Sequence, residues 1–141
     1  MRYIPVEPYV PPALFDLEDV EARIVMLASV VPDARHYFRR LRELGYRRKK
    51  MREDGVMGKI ERARYAYLCE EVDRLTLLVE DCVDDVARLG GQIVDLERGE
   101  VTFATILEGE EAYYVWTPGD LVVQWYRLAT EPVGEAHLIG G

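Results

Sequence analysis

The chain has 141 residues, 49% of them hydrophobic and 31% charged, with a formal net charge of −8. That length suits one domain, and that composition suits a folded, soluble chain rather than a disordered one. The acidity argues against a general DNA or anionic-membrane binder, because phosphate-rich partners are repelled overall, and no apolar run reaches the ~20 residues that span a bilayer.

Residues 3–14 hold four of the seven prolines. Residues 1–15 are therefore read as an extended, polyproline-like arm. The prolines also interrupt the apolar run that a signal peptide would need, so a cytoplasmic location is expected. Asp16 is placed to cap a helix whose first turn carries Glu18 and Asp19, where the helix dipole favours acids. Val20, Ile24, Leu27 and Val31 follow at helical spacing, and Pro32 is expected to break or kink that helix. A second helix is expected from Asp33, with Tyr37, Phe38, Leu41 and Leu44 on one face. The segment EDGVMGK, with its two glycines, is expected to turn the chain into a helical hairpin.

The strongest periodicity lies beyond that turn. Tyr65, Leu68, Val72, Leu75, Val79, Cys82, Val86 and Leu89 are spaced 3-4-3-4-3-4-3, the pattern of helices packed along a seam. A helix over residues 57–89 would be about 50 Å long. It needs an antiparallel partner within the chain, a second subunit, or both. Gly90-Gly91 ends it. Cys69 and Cys82 fall on this helix about 20 Å apart, too far for a disulfide, and read as buried thiols.

From residue 92 the period changes to two, and QIVDLE, VTFATIL, EAYYVW and LVVQWYRL read as short strands. The expected architecture is a single α+β domain. A Pro-rich arm (1–15) precedes a long, coiled-coil-like antiparallel hairpin (16–91), and a small antiparallel sheet with a tail (92–141) closes it. With TPGD at a hairpin tip, Trp116 pairs with Leu121, Tyr114 with Val123 and Ala112 with Trp125 on a buried face. Tyr113, Val115, Val122, Gln124 and Tyr126 are left on the other. Pro-Gly favours a type II turn over the primed turns of tight hairpins, so a longer loop and a slip that swaps the faces stay open.

Charge is unevenly spread. Residues 35–52 contain nine Arg or Lys and one acid, Glu43, whereas residues 69–85 hold seven acids and one Arg. Arg39, Arg40, Arg47, Arg48, Lys49 and Lys50 would carry a site for RNA, a nucleotide or polyphosphate, with Tyr37 or Tyr46 stacking on a base. The simpler reading sets the basic helix against the acidic run, within the chain or across a dimer. Glu80, Asp81, Asp84 and Asp85 have the i, i+4 spacing of carboxylates that hold Mg²⁺ beside a phosphate, though a solvated acidic face explains them as well. The single serine, Ser29, sits in an apolar stretch and argues against a Ser-His-Asp hydrolase. His36 and His137 lack ligand-like spacing, and no Gly-rich phosphate loop is present, so no cofactor is expected.

The stretch LGGQIVDLERGEVTFATILEGEEAYYVW, continuing through PGDLVVQWYRL to VGEAHLI, resembles a bacterial family known as domain of unknown function 2203. The positions that carry the resemblance are Leu89, Gly90, Asp95, Leu96, Glu97, Arg98, Gly99, Val101, Phe103, Tyr114, Trp116, Gly119 and Trp125. Tyr126 stands where that family often has His, and Glu135 where it usually has Arg. The resemblance implies an architecture and no activity. Within DLERG, Asp95 and Glu97 would point the same way on a strand and Arg98 could clamp an anion; the preferred alternative is a tight turn ending at Gly99.

Taken together, these residues favour a non-enzymatic interaction or scaffolding protein, a homodimer formed through the seam, with Tyr113 and Tyr126 exposed for a protein partner. The alternative is RNA, nucleotide or other anion binding through residues 35–52, and a metal-dependent phosphohydrolase on Glu80, Asp81, Asp84 and Asp85 stands third. No membrane partner is expected.

Overall fold

The computed structural model describes residues 13–55 and 57–140; the arm expected over 1–15 lies, up to Pro12, outside the described residues. A short helix α1 (Leu17–Glu21) precedes two long ones, α2 (Ile24–Asp54) and α3 (Lys59–Arg88). Five strands follow: β1 (Gln92–Asp95), β2 (Glu100–Leu107), β3 (Glu110–Trp116), β4 (Trp125–Leu128) and β5 (His137–Leu138). They form one antiparallel sheet in chain order.

The seam organises the helices. Leu68, Val72, Leu75, Val79, Cys82 and Val86 are all buried on α3, and α2 supplies the covering face within the same chain. Two apolar clusters result. Leu44 joins Leu68, Val72 and Leu75 inside the hairpin. At its open end Leu27, Val31 and Val86 meet Val101, Phe103, Tyr114 and Trp116 of the sheet. The sheet thus seals the open end, and the closed end carries a core of its own. Both cysteines are free, as their placement on one helix requires.

The first helices depart from expectation. The chain does not break at Pro32, which lies inside α2; the break falls at Ala22–Arg23 instead. An internal proline forfeits the hydrogen bond to the carbonyl four residues earlier and costs about 3 kcal/mol. Leu27, Val31 and Ala34 are fully buried on both sides of it. Burial of a large aliphatic side chain gives about 1.5–3 kcal/mol, so the core holds the helix across the defect. The earlier break follows from Asp16, which forms a capping box with Asp19 and starts a separate helix. Arg23 then ties the corner, donating to the carbonyls of Leu89 (2.7 Å) and Asp19 (2.6 Å) with its guanidinium over the Phe15 ring. A cation at two helix C-terminal ends also answers their dipoles.

Gly90 closes α3 with φ +90°, and the Phe15 ring fills the space its side chain would need. Phe15 also donates its amide to the Ala104 carbonyl (2.9 Å) and packs edge-on against Phe103. Phe15 thus stitches the start of the described chain to both the end of α3 and the sheet.

The sheet register also differs from the expected one. TPGD does form a tight turn, with Gly119 at φ +99° and Asp120 donating to Thr117 (3.1 Å). The chain then continues unpaired through Leu121–Gln124 and joins β3 only at Trp125. Tyr114 faces Tyr126 and Val115 faces Trp125, a shift of three residues from the tight-hairpin pairing. An odd shift exchanges the faces of β4. Tyr126 therefore packs on the core beside Tyr114 and Trp116, Trp125 goes half-buried to the opposite face, and Leu121 is 88% exposed.

Replacing Pro32, which is exposed, with Ala restores the missing helix donor without touching the core. Chemical denaturation is expected to show a gain of about 1–3 kcal/mol. A loss of stability would mean that Pro32 itself is needed to seat Leu27 and Ala34 together.

Candidate functional site

At the closed end the seam runs out of aliphatic residues. Beyond Leu44 and Leu68 the next seam position is Tyr65, whose hydroxyl accepts a hydrogen bond from Arg52 (2.7 Å). Between these levels α2 and α3 leave an open cavity of about 430 Å³. Leu44, Met51 and Leu68 form its floor, Tyr46 and Tyr67 its walls, and Arg40, Arg47, Lys50 and Arg64 its rim. Tyr46 is 64% exposed and Tyr67 62%, so two large aromatic surfaces stand in water beside the floor.

The rim is cationic because the hairpin brings two basic stretches together. Residues 46–66 contain eight Arg or Lys against three acids, a net of +5. Arg40 and Arg47 share the carboxylate of Glu43, at 3.2 and 2.8 Å. Among the described residues Lys50 and Arg64 make no ion pair, and they supply the free positive charge. The expected pairing of a basic helix with an acidic one is thus only half the arrangement: residues 47–52 lie beside the basic start of α3, not beside its acidic run. Antiparallel register dictates this, since residues nearest the turn pair first.

Along the same side of the hairpin the charge changes sign. Arg74 holds the Glu71 carboxylate with two bonds of 2.9 Å and keeps it below the usual carboxylate range, with Arg40 adding to the effect. Further from the turn, burial and then the charges of Asp33, Asp85 and Asp81 push the Cys82 thiol up, which keeps it protonated and unreactive.

The other expected site residues lie elsewhere. Arg39 and Arg42 reach Glu97 of the β1–β2 turn (3.5 and 2.8 Å), and Arg35 donates to the Glu97 carbonyl (3.1 Å). That turn carries Glu97 away from Asp95, so the two carboxylates do not share a direction. Arg48 and Lys49 are outside the cavity lining. Arg98 binds Asp95 through its backbone and side chain (3.0 Å each) and reaches Glu100 (3.2 Å). Arg98, more than Glu97, draws the Asp95 carboxyl below its ordinary value. Tyr113 and Tyr126 are half-buried rather than exposed; Tyr113 lies beside the Arg127 guanidinium and Tyr126 against His137. Glu80, Asp81, Asp84 and Asp85 are exposed, and Asp85 pairs with Arg88 (2.9 Å). Among the described residues no three His, Cys, Asp or Glu side chains converge as a metal site.

One buried charged group had no signal in the sequence. Arg127 and Glu100 form an ion pair at 3.3 Å with both side chains only 4% exposed. They lie on the sheet face opposite the helices, on β4 and β2. Arg127 and Glu100 sit on the strands either side of β3, and Val115 and Thr102 on the same face are buried as well. Glu100 also binds Arg98, so no charge in the group is left unpaired. A second cavity, of about 370 Å³, opens between Leu107, Tyr114, Tyr126 and Ile139, but its rim carries Glu108 and Glu110 and no cation. Arg64 and Tyr67 were also missed, because each sits beside the seam and reads as a solvated helix surface until the register of α2 is known.

A family profile described as "Uncharacterized conserved protein (DUF2203)" matches residues 13–135, and the chain belongs to that family. No curated protein and no solved structure matches it.

Removing one member of the sheet-face pair strands its partner. Arg127→Met or Glu100→Leu alone is expected to cost about 3–5 kcal/mol, and the double variant less than either. Denaturation of the three variants checks this, and additive losses would deny that the two side chains act as a buried unit.

Proposed function

We propose that this member of the uncharacterized conserved family DUF2203 is a non-enzymatic interaction module, and that the groove at the closed end of its hairpin docks an acidic polypeptide face. The observation that carries this reading is the joining of an apolar floor to a cationic rim in one open cavity of about 430 Å³. Leu44, Met51 and Leu68 offer aliphatic contact, for which the matching element is a helix with leucine-like anchors. Arg64 and Lys50 stand at the edge, where opposite charges steer encounter and fix register. Helices α2 and α3 already form two sides of a bundle, and a third helical surface completes it.

Single-stranded RNA is the competing ligand. Tyr46 and Tyr67 are exposed as stacking surfaces beside four cations. The floor argues for the polypeptide, since aliphatic side chains offer a base no stacking plane.

Fluorescence anisotropy separates the two. The probes are a short synthetic helical peptide with leucines at i, i+4 and i+7 flanked by glutamates, its lysine-flanked counterpart, and an oligouridylate. The glutamate peptide is expected to bind, and Lys50→Glu with Arg64→Glu to weaken it about tenfold or more at low salt. Equal binding of both peptides, or tight binding of the oligouridylate alone, would overturn the reading.

A further inference from the structure

We infer that the partner seated on this groove is a second copy of the chain, packed antiparallel on the first so that two hairpins form a four-helix bundle. This rests on the groove being a docking surface, and it names the occupant.

The inference comes from following the groove toward the sheet. Arg47, Leu44, Arg40, Tyr37 and Asp33 step along α2 at intervals of 3 and 4, so they share one stripe of the helix. Tyr67, Glu71, Arg74, Leu78, Asp81 and Asp85 do the same on α3. Arg40, Leu44, Arg47 and Tyr67 line the groove, which places both stripes on one side of the hairpin. Its ends carry opposite charge. Arg40, Arg47, Lys50 and Arg64 surround the groove, Glu71 and Arg74 are paired in the middle, and Asp33, Asp81 and Asp85 lie around Cys82 near the sheet, where Arg88 pairs with Asp85 and, among the described residues, Asp33 and Asp81 make no ion pair.

A surface basic at one end, neutral in the middle and acidic at the other is complementary to itself after a half-turn. A two-fold axis through the level of Arg74 sets each groove against the partner's acidic end. That is the self-matching geometry of a two-fold dimer interface. The apolar part fits as well: Tyr46, Tyr67 and Met26 are large, more than half exposed and near this side. Two helices of about 45 Å side by side offer a face on the order of 900 Å² per copy, within the range of stable dimers. A foreign partner would need only the groove. The acidic stripe in register with it on the same face gives the second copy its warrant.

Analytical ultracentrifugation of the full chain at low and high salt tests this, with two charge-reversed variants: Lys50→Glu with Arg64→Glu, and Asp81→Lys with Asp85→Lys. The wild type is expected to be a dimer that weakens with salt. Each variant alone should dissociate at least about a hundredfold more readily, and an equimolar mixture should recover a heterodimer. Recovery also shows that both variants fold. A monomeric wild type at tens of micromolar would overturn the second copy as occupant while leaving glutamate-peptide binding to judge the groove. A dimer that survives both reversals, or a mixture that stays monomeric, would equally overturn it.

Discussion

Everything in this domain depends on covering one side of α3. A thirty-residue helix with Leu68, Val72, Leu75, Val79, Cys82 and Val86 on one stripe cannot stand alone in water. Helix α2 covers that stripe, and the demand explains why α2 runs unbroken through Pro32: stopping there would leave the hairpin without most of its second wall. The aliphatic run of the seam also ends before the hairpin does, and an open groove is left where Leu68 gives way to Tyr65. The same packing that builds the core therefore creates an apolar concavity ringed by cations.

The sheet plays the opposite part. It seals the open end of the hairpin with Val101, Phe103, Tyr114 and Trp116, and its second face carries a buried ion pair. A buried pair of this kind adds little net stability compared with an apolar one and is punishing to break. It does fix the register of β4 against β2, which the long loop after TPGD leaves loosely specified. Arg35, Arg39 and Arg42 gather around Glu97 and lock the β1–β2 turn to the middle of α2. The basic stretch of the sequence is thus divided, part of it fastening the sheet and part of it forming the groove.

The hairpin, the antiparallel sheet after it and the buried seam were legible in the sequence because each rests on a period that one-dimensional reading can count, whereas β5 lay in what read as a tail. The register of β4 was not, since Pro118-Gly119 fixes a local turn but not the length of the unpaired return through Leu121–Gln124. Continuity across Pro32 was hidden for a similar reason: local preference says break, and only the burial of Leu27, Val31 and Ala34 outweighs it. The groove was half legible. Arg40, Arg47 and Lys50 stood out as a run, whereas Arg64, Tyr67 and Met51 join them only through packing across the hairpin. Arg39, Arg48 and Lys49 shared the charge signal but not the location, because charge counted along a chain carries no information about helical phase.

In the proposed dimer, charge graded along one side of the hairpin sets the groove of each copy on the acidic end of the other. Zero-length carbodiimide coupling of lysine to carboxylate, read by mass spectrometry of the covalent dimer, reports that contact directly. Within one chain, Arg64 at the groove and Asp81 are seventeen residues apart on α3, about 26 Å at the rise of an α-helix, so Lys50 cannot be joined to Asp81 or Asp85 in the folded monomer. Lys50–Asp81 or Lys50–Asp85 cross-links are expected in the dimer fraction, diminishing at high salt. Coupling of Lys50 only to acids near its own turn, such as Glu53 or Asp54, would contradict this arrangement.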